Sequence, residues 1–168
     1  VVGLGGKQSL RGKRVGILFY EPSTRTRVSF ESAIDFLGGK FFSTESAAQF
    51  SSAAKGETIE DTARIYEGYG FNALVIRHNE TGGVARAASV VDIPVINAGD
   101  GKGKHPTQAL LDIYTINDYF GAVDDLRIGI VGDLANGRTV NSLISVAGNF
   151  ENIHFSLVSP PNFKAAER

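Results

Sequence analysis

The sequence predicts an α/β protein: a parallel sheet flanked by helices, followed by the start of a second, Rossmann-like α/β unit. Three observations carry this. Strand-like and helix-like patterns alternate from end to end, the layout of a sheet whose strands are joined by helical crossovers. At 168 residues, 42% hydrophobic and 21% charged, the composition is ordinary for a globular chain long enough for one core or for one domain and part of another. Polar clusters follow four of the β-rich runs, where ligands of open parallel sheets sit.

The elements follow in order. Arg14-Val15-Gly16-Ile17-Leu18-Phe19 is a short β-rich run behind the polar Arg11-Gly12-Lys13, and it feeds a turn at Tyr20-Glu21-Pro22-Ser23. A helix is predicted from about Thr24 to Leu37, with Phe30, Ile34 and Leu37 on one face and Gly38-Gly39 as its stop. Lys40-Phe41-Phe42-Ser43 is the next strand, and the Ser/Ala/Gln stretch from Ser46 to Gly56 reads as a mobile loop. Glu57 to about Tyr69 is helical, Asn72 to Arg77 a strand, and Val84 to Val90 a short helix. Pro94 to Asn97 is a strand, Ala98 to Lys104 a glycine-rich loop, and His105-Pro106-Thr107-Gln108 opens a longer helix. The first domain is predicted to span 1–123. An incomplete second one, 124–168, has a strand at Leu126–Val131, a helix from about Thr139 to Val146 and a strand at His154–Val158.

Composition excludes several function classes. A net charge of -1 gives no basic field for nucleic acid or an anionic membrane, so any anion site must be local. The lack of cysteine excludes disulfides, thiolate metal sites and a cysteine nucleophile. No apolar run approaches the roughly 20 residues that cross a bilayer, and the first residues lack the layout of a secretory signal. With no Met and a chain that stops soon after a strand at Ser159-Pro160-Pro161, the reading is a soluble, cytoplasmic fragment.

Ser23-Thr24-Arg25-Thr26-Arg27 lies where a strand turns into a helix, a place with unpaired N–H groups and a partial positive charge suited to phosphate or carboxylate. The three hydroxyls add donors and Arg25 can fork onto two anion oxygens; a plain capped helix, with Ser23 or Thr24 as N-cap, is the competing reading. His105 opens a second helix with Pro in its first turn, and Gln108 can both donate and accept. Taken singly, His105 reads first as a surface or capping residue, Arg77 as a structural ion-pair partner and Lys55 as a solvated charge. Gly132 to Thr139 approaches a nucleotide phosphate loop, but Arg138 stands where that loop needs lysine. Val2-Gly3-Leu4-Gly5-Gly6 lacks the third glycine of a dinucleotide fingerprint.

Phe19-Tyr20-Glu21-Pro22-Ser23-Thr24-Arg25-Thr26-Arg27-Val28-Ser29-Phe30-Glu31, taken with His105-Pro106-Thr107-Gln108, closely resembles the two signatures of the aspartate and ornithine carbamoyltransferases. Lys55-Gly56-Glu57-Thr58, Arg77-His78, Asn97 to Gly101 and Gly132 to Val140 resemble the aspartate branch. The resemblance implies transfer of the carbamoyl group of carbamoyl phosphate to L-aspartate, with no cofactor and no metal. Ser23, Thr24, Arg25 and Thr26 match residues that hold the phosphate. Arg77, His105 and Thr26 match those that polarise the carbonyl, and Gln108 the contact to the amide. Ser51 and Lys55 match loop residues that reach a neighbouring subunit's site, which implies a homotrimer with shared active sites. Regulatory or dihydroorotase chains are the further partners the family implies. Arg138 matches an aspartate-carboxylate contact, and Glu21 the acid that orients such an arginine. An ornithine-type enzyme and an inactive carbamoyl-phosphate-binding fragment are the alternatives.

Overall fold

A computed structural model describes residues 8–45, 56–101 and 103–164, with Arg138 described by its backbone alone. The chain divides into two compact units, 1–101 and 102–168. In the first, β1 (Arg14–Phe19) leads into α1 (Thr24–Phe36) and β2 (Lys40–Thr44). There follow α2 (Ile59–Gly68), β3 (Ala73–His78), α3 (Gly83–Ala88) and β4 (Val95–Asp100). The sheet has the order β2-β1-β3-β4 and every neighbouring pair is parallel.

Strand alternation divides the core into two layers, because successive side chains leave opposite faces of a strand. Val15, Ile17 and Phe19 of β1 and Val75 of β3 pack with Ile34 and Phe30 of α1 on one face. Leu18, Tyr20, Leu74 and Ile76 pack with Ile59 and Ala63 of α2 and Val84 and Ala87 of α3 on the other. Helices therefore cover both faces, as an all-parallel sheet requires.

The second unit holds α4 (Pro106–Phe120), β5 (Arg127–Val131), α5 (Arg138–Ala147), β6 (His154–Val158) and a 3₁₀ turn at Pro161–Phe163. β5 and β6 pair in parallel. Ile113 of α4 is buried with Val123 and Ala147, and Ile116, Leu143 and Phe155 pack around them. The 106–120 helix, expected to close the first domain ahead of a boundary at 123/124, is thus grouped by packing with the second unit. Its apolar stripe meets α5, a partner that local periodicity does not name.

Among the described residues the predicted strands and helices agree in type with those observed, with ends shifted by no more than three residues. The main difference is β4, which runs through Ala98-Gly99-Asp100, where a glycine-rich loop is expected. Its pairing with β3 breaks between Ile76 and His78, so the extra residues form a bulge. The expected loop at 46–55 lies outside the described residues. No helix among them is long and apolar enough to cross a membrane.

Ile76 is fully buried between β3 and the α2/α3 layer. Ile76→Ala is expected to cost about 2–5 kcal/mol, the range for truncating a buried aliphatic side chain. Chemical denaturation of the purified protein measures this, and a loss below about 1 kcal/mol would contradict the assignment of that layer to the core.

Candidate functional site

In the first unit the functional candidates collect at the C-terminal edge of β1 and β3. After Phe19 the chain crosses the sheet edge in four residues and enters α1, with Ser23 as N-cap in extended conformation. The Ser23 side chain makes no capping hydrogen bond. The first helical bond runs from Arg27 N–H to the Ser23 carbonyl, 3.1 Å. The N–H groups of Thr24, Arg25 and Thr26 therefore lie ahead of the ladder, as at any helix start. Thr24 and Arg25 are exposed and Thr26 half-buried. The next arginine has a structural role. Arg27 is tied to Glu31 at 2.9 Å and Glu45 at 3.2 Å.

Arg77, the penultimate residue of β3, lies beside this helix start because β1 and β3 pair with Phe19 opposite Arg77. Tyr20 N–H donates to the Arg77 carbonyl at 2.8 Å and extends the pairing past the strand end. The Arg77 guanidinium meets the Glu21 carboxylate at 2.8 Å, with side chains 11% and 29% exposed. On its other side runs the β4 bulge, whose Ala98 carbonyl accepts a long contact from Arg77 Nη1 at 3.5 Å. Gly99 has φ +134, and a Cβ there would stand 3.2 Å from Arg77 Nη1. Only glycine accepts that backbone conformation cheaply and lets the strand pass so near the guanidinium. Glu21 thus engages Arg77 in this structure, while the side chain of Arg138, its expected partner, lies outside the description.

The opposite face of the same strand ends holds a second pair. Tyr20 and His78 are both buried, with ring centroids 4.8 Å apart. Burial pushes the Tyr20 phenol above its ordinary value, opposed by a hydrogen bond with Thr62. A cleft of about 420 Å³ opens over these rings, lined also by Glu57, Glu60, Glu80 and Arg86.

In the second unit His105 is the N-cap of α4 and 6% exposed. Its backbone N–H donates to Ser142 Oγ at 2.8 Å. Its Nδ1 accepts from Gln108 N–H at 3.3 Å, which leaves the proton of the neutral ring on Nε2. Gln108 donates through Nε2 to Asp112 at 2.9 Å, so its amide oxygen is the acceptor end. The loop after β5 is organised by Asp133, whose Oδ1 accepts from the N–H groups of Ala135 at 3.1 Å and Asn136 at 2.9 Å.

The structure thus brings Glu21 and Arg77 together beside Ser23–Thr26, and sets His105 and Gln108 at the first turn of one helix in the second unit. Ser51 and Lys55 lie outside the described residues. Sequence reasoning passed over Tyr20, His78, Ser142 and Asp133. For His78 a signal was available, since a residue following Arg77 on a strand must face the other side. For Ser142 there was none, as its partner is 37 residues away. Among the described residues no cluster of three or more His, Asp or Glu is disposed to hold a metal ion.

Comparison with known proteins is consistent with this geometry. Residues 5–118 match the family model described as aspartate/ornithine carbamoyltransferase, carbamoyl-P binding domain. The chloroplastic aspartate carbamoyltransferase of Oryza sativa is 56% identical over 158 residues, covering 94% of this chain and 43% of that protein. The catalytic subunit of M. jannaschii aspartate transcarbamoylase superposes with TM-score 0.89 at 43% identity, over 97% of this chain and 53% of that one. The Trypanosoma cruzi aspartate transcarbamoylase in complex with carbamoyl phosphate and aspartate gives TM-score 0.87 at 40% identity, over 95% and 52%. The chain spans half or less of the length of the curated relatives it matches. The expectation of a cytoplasmic protein is corrected by the chloroplastic plant relatives. Absence of cysteine does not separate one disulfide-free compartment from another.

Donation from Asn136 and then Ala135 holds the Asp133 carboxyl below its ordinary range. A lowered folded pKa means that this anchor is present above the unfolded value and is lost as pH falls through the folded one. The amide resonances of Ala135 and Asn136 are expected to titrate with a midpoint below the ordinary Asp value of about 3.9. A midpoint at or above that value in an NMR titration contradicts the loop assignment.

Proposed function

This chain belongs to the aspartate/ornithine carbamoyltransferase family, and on that premise we propose that it supplies the carbamoyl-phosphate half of an aspartate carbamoyltransferase. The reaction joins carbamoyl phosphate to the amine of L-aspartate, giving N-carbamoyl-L-aspartate and phosphate, a step of pyrimidine biosynthesis. The observation that carries the reading is the Arg77–Glu21 pair beside an open helix start at one sheet edge. In functional terms the carbamoyl-phosphate domain spans 1–123, in keeping with the family match over 5–118, and the aspartate-binding part begins at 124.

The chemistry assigns each group a task. The amine nitrogen attacks the carbamoyl carbon, the new C–N bond forms, and the C–O bond to phosphate breaks. The amine proton passes to the departing phosphate. Ser23, Thr24, Arg25 and Thr26 receive that phosphate with hydroxyls, N–H groups and the guanidinium fork. Arg77, His105 and Thr26 donate to the carbonyl oxygen, where negative charge grows; a preorganised donor of this kind is worth about 3–4 kcal/mol. His105 is suited to this because its Nδ1 is already occupied and its Nε2 carries the proton. Gln108 accepts from the carbamoyl NH₂ through its amide oxygen. Arg77 leaves Glu21 for the ligand, and the released carboxylate then orients Arg138 on the aspartate. Ser51 and Lys55 complete the site of a neighbouring copy, in a homotrimer with shared sites.

Three measurements on the full encoded polypeptide test this. Arg25→Ala is expected to lower kcat by at least about a hundredfold with the fold intact; turnover at the parental rate excludes the leaving-group role. Mixing Lys55→Ala with His105→Ala subunits is expected to restore activity above either variant alone, since hybrids regain one intact shared site. No recovery in assembled hybrids argues against shared sites. A substrate panel in which ornithine, not aspartate, is carbamoylated transfers the reading to the sibling branch.

A further inference from the structure

We propose that His78, on the face of the sheet away from the reacting groups, is a positioning residue that sets the direction of Arg77. The proposal rests on the role given to Arg77 above.

Consecutive residues of a strand leave opposite faces, so a rotation of the strand end that re-aims one side chain re-aims the other. At Arg77 the ladder alone does not fix that rotation. The pairing with β4 breaks there, with the bulge at Ala98-Gly99 opposite the arginine. A bulge disrupts local pairing and adds twist, so the aim of the neighbouring side chain needs another support.

That support is built around the His78 ring, which is 7% exposed. The ring lies against Tyr20 at 4.8 Å between centroids. Its Nδ1 accepts the Glu80 N–H at 3.0 Å. On the third side is Gly83, where an added Cβ would overlap the imidazole. The turn that carries Glu80 and Gly83 is itself anchored. The Asp100 carboxylate at the end of β4 accepts from Gly82 N–H at 2.9 and 3.0 Å. Gly101 N–H closes the arrangement on the His78 carbonyl at 2.8 Å. The front and rear pairs share the same two peptide stretches. Glu21 holds Arg77 in front, and Tyr20 stacks on His78 behind. The rear contact contains no group that must move during turnover, so it fixes the strand end while Arg77 exchanges partners.

The test is a double-mutant cycle on the full encoded polypeptide. His78→Leu keeps bulk and removes the acceptor, whereas His78→Asn keeps an acceptor near the place of Nδ1. His78→Leu is expected to lower kcat/KM for carbamoyl phosphate about tenfold and leave KM for aspartate unchanged, the effect of losing one anchoring hydrogen bond. His78→Asn is expected to stay within about threefold of the parent. In an Arg77→Ala background, His78→Leu is expected to change kcat/KM by less than about twofold, since nothing remains to be aimed. Gly83→Ala, which displaces the ring without touching His78, is read in the same cycle and serves if His78→Leu does not fold. A tenfold loss repeated in the Arg77→Ala background, or no loss from either rear-face variant, overturns the proposal and leaves the carbamoyltransferase reading standing. Parental activity in Arg77→Ala alone removes the role of Arg77, and the positioning claim falls with it.

Discussion

The parallel pairing of β1 with β3 is the constraint on which the rest of this structure depends. It sets Phe19 opposite Arg77 and carries the register one step further through the Tyr20 N–H to Arg77 carbonyl bond. A shift of one residue would turn every side chain to the wrong face. Arg77 would then enter the apolar layer under α2 and α3, and His78 would take its place beside Glu21. The fully buried Ile17, Leu74 and Ile76 hold the register, because each fits one layer only. Core packing in this sense decides from which face of the sheet the guanidinium leaves.

The helix start and the arginine then work as parts of one sheet edge. α1 leaves its first N–H groups ahead of the ladder, as every helix does, and the Ser23 side chain does not cap them. β4 comes close to Arg77 because Gly99 carries no Cβ. Both departures from regular structure fall at the edge where the ligand is proposed to bind, while the buried layers behind are regular. Local irregularity at a functional edge, supported by orthodox packing, is the expected division.

Much of this was legible in the sequence, for reasons that can be named. Phe30 and Ile34 at helical spacing predict α1, and both pack on the sheet. The unbroken apolar run of β1 and its polar sequel predict a strand ending at a ligand edge. The bulge was not legible, because Ala98-Gly99-Asp100 reads locally as a glycine-rich loop and extends as a strand only because β3 lies beside it. The grouping of α4 with the second unit escaped for a similar cause: Ile113 and Ile116 show that a stripe exists, and only the fold shows that it meets Leu143 and Ala147. The pairing of Glu21 with Arg77 is likewise a matter of register, the two being 56 positions apart in the chain.

The Arg77–Glu21 contact has a consequence for how the edge responds to electrolyte. An anion that draws Arg77 away replaces one ion pair by another and liberates a carboxylate, so the tally of paired charges barely changes. Salt weakens the old pair and the new one together, and that step is close to neutral in ionic strength. Among the described residues the exposed Arg25 forms no such ion pair. If Arg77 exchanges partners as proposed, counter-ion competition at this edge is concentrated at the mouth of α1, and added salt hardly disturbs the deeper arginine.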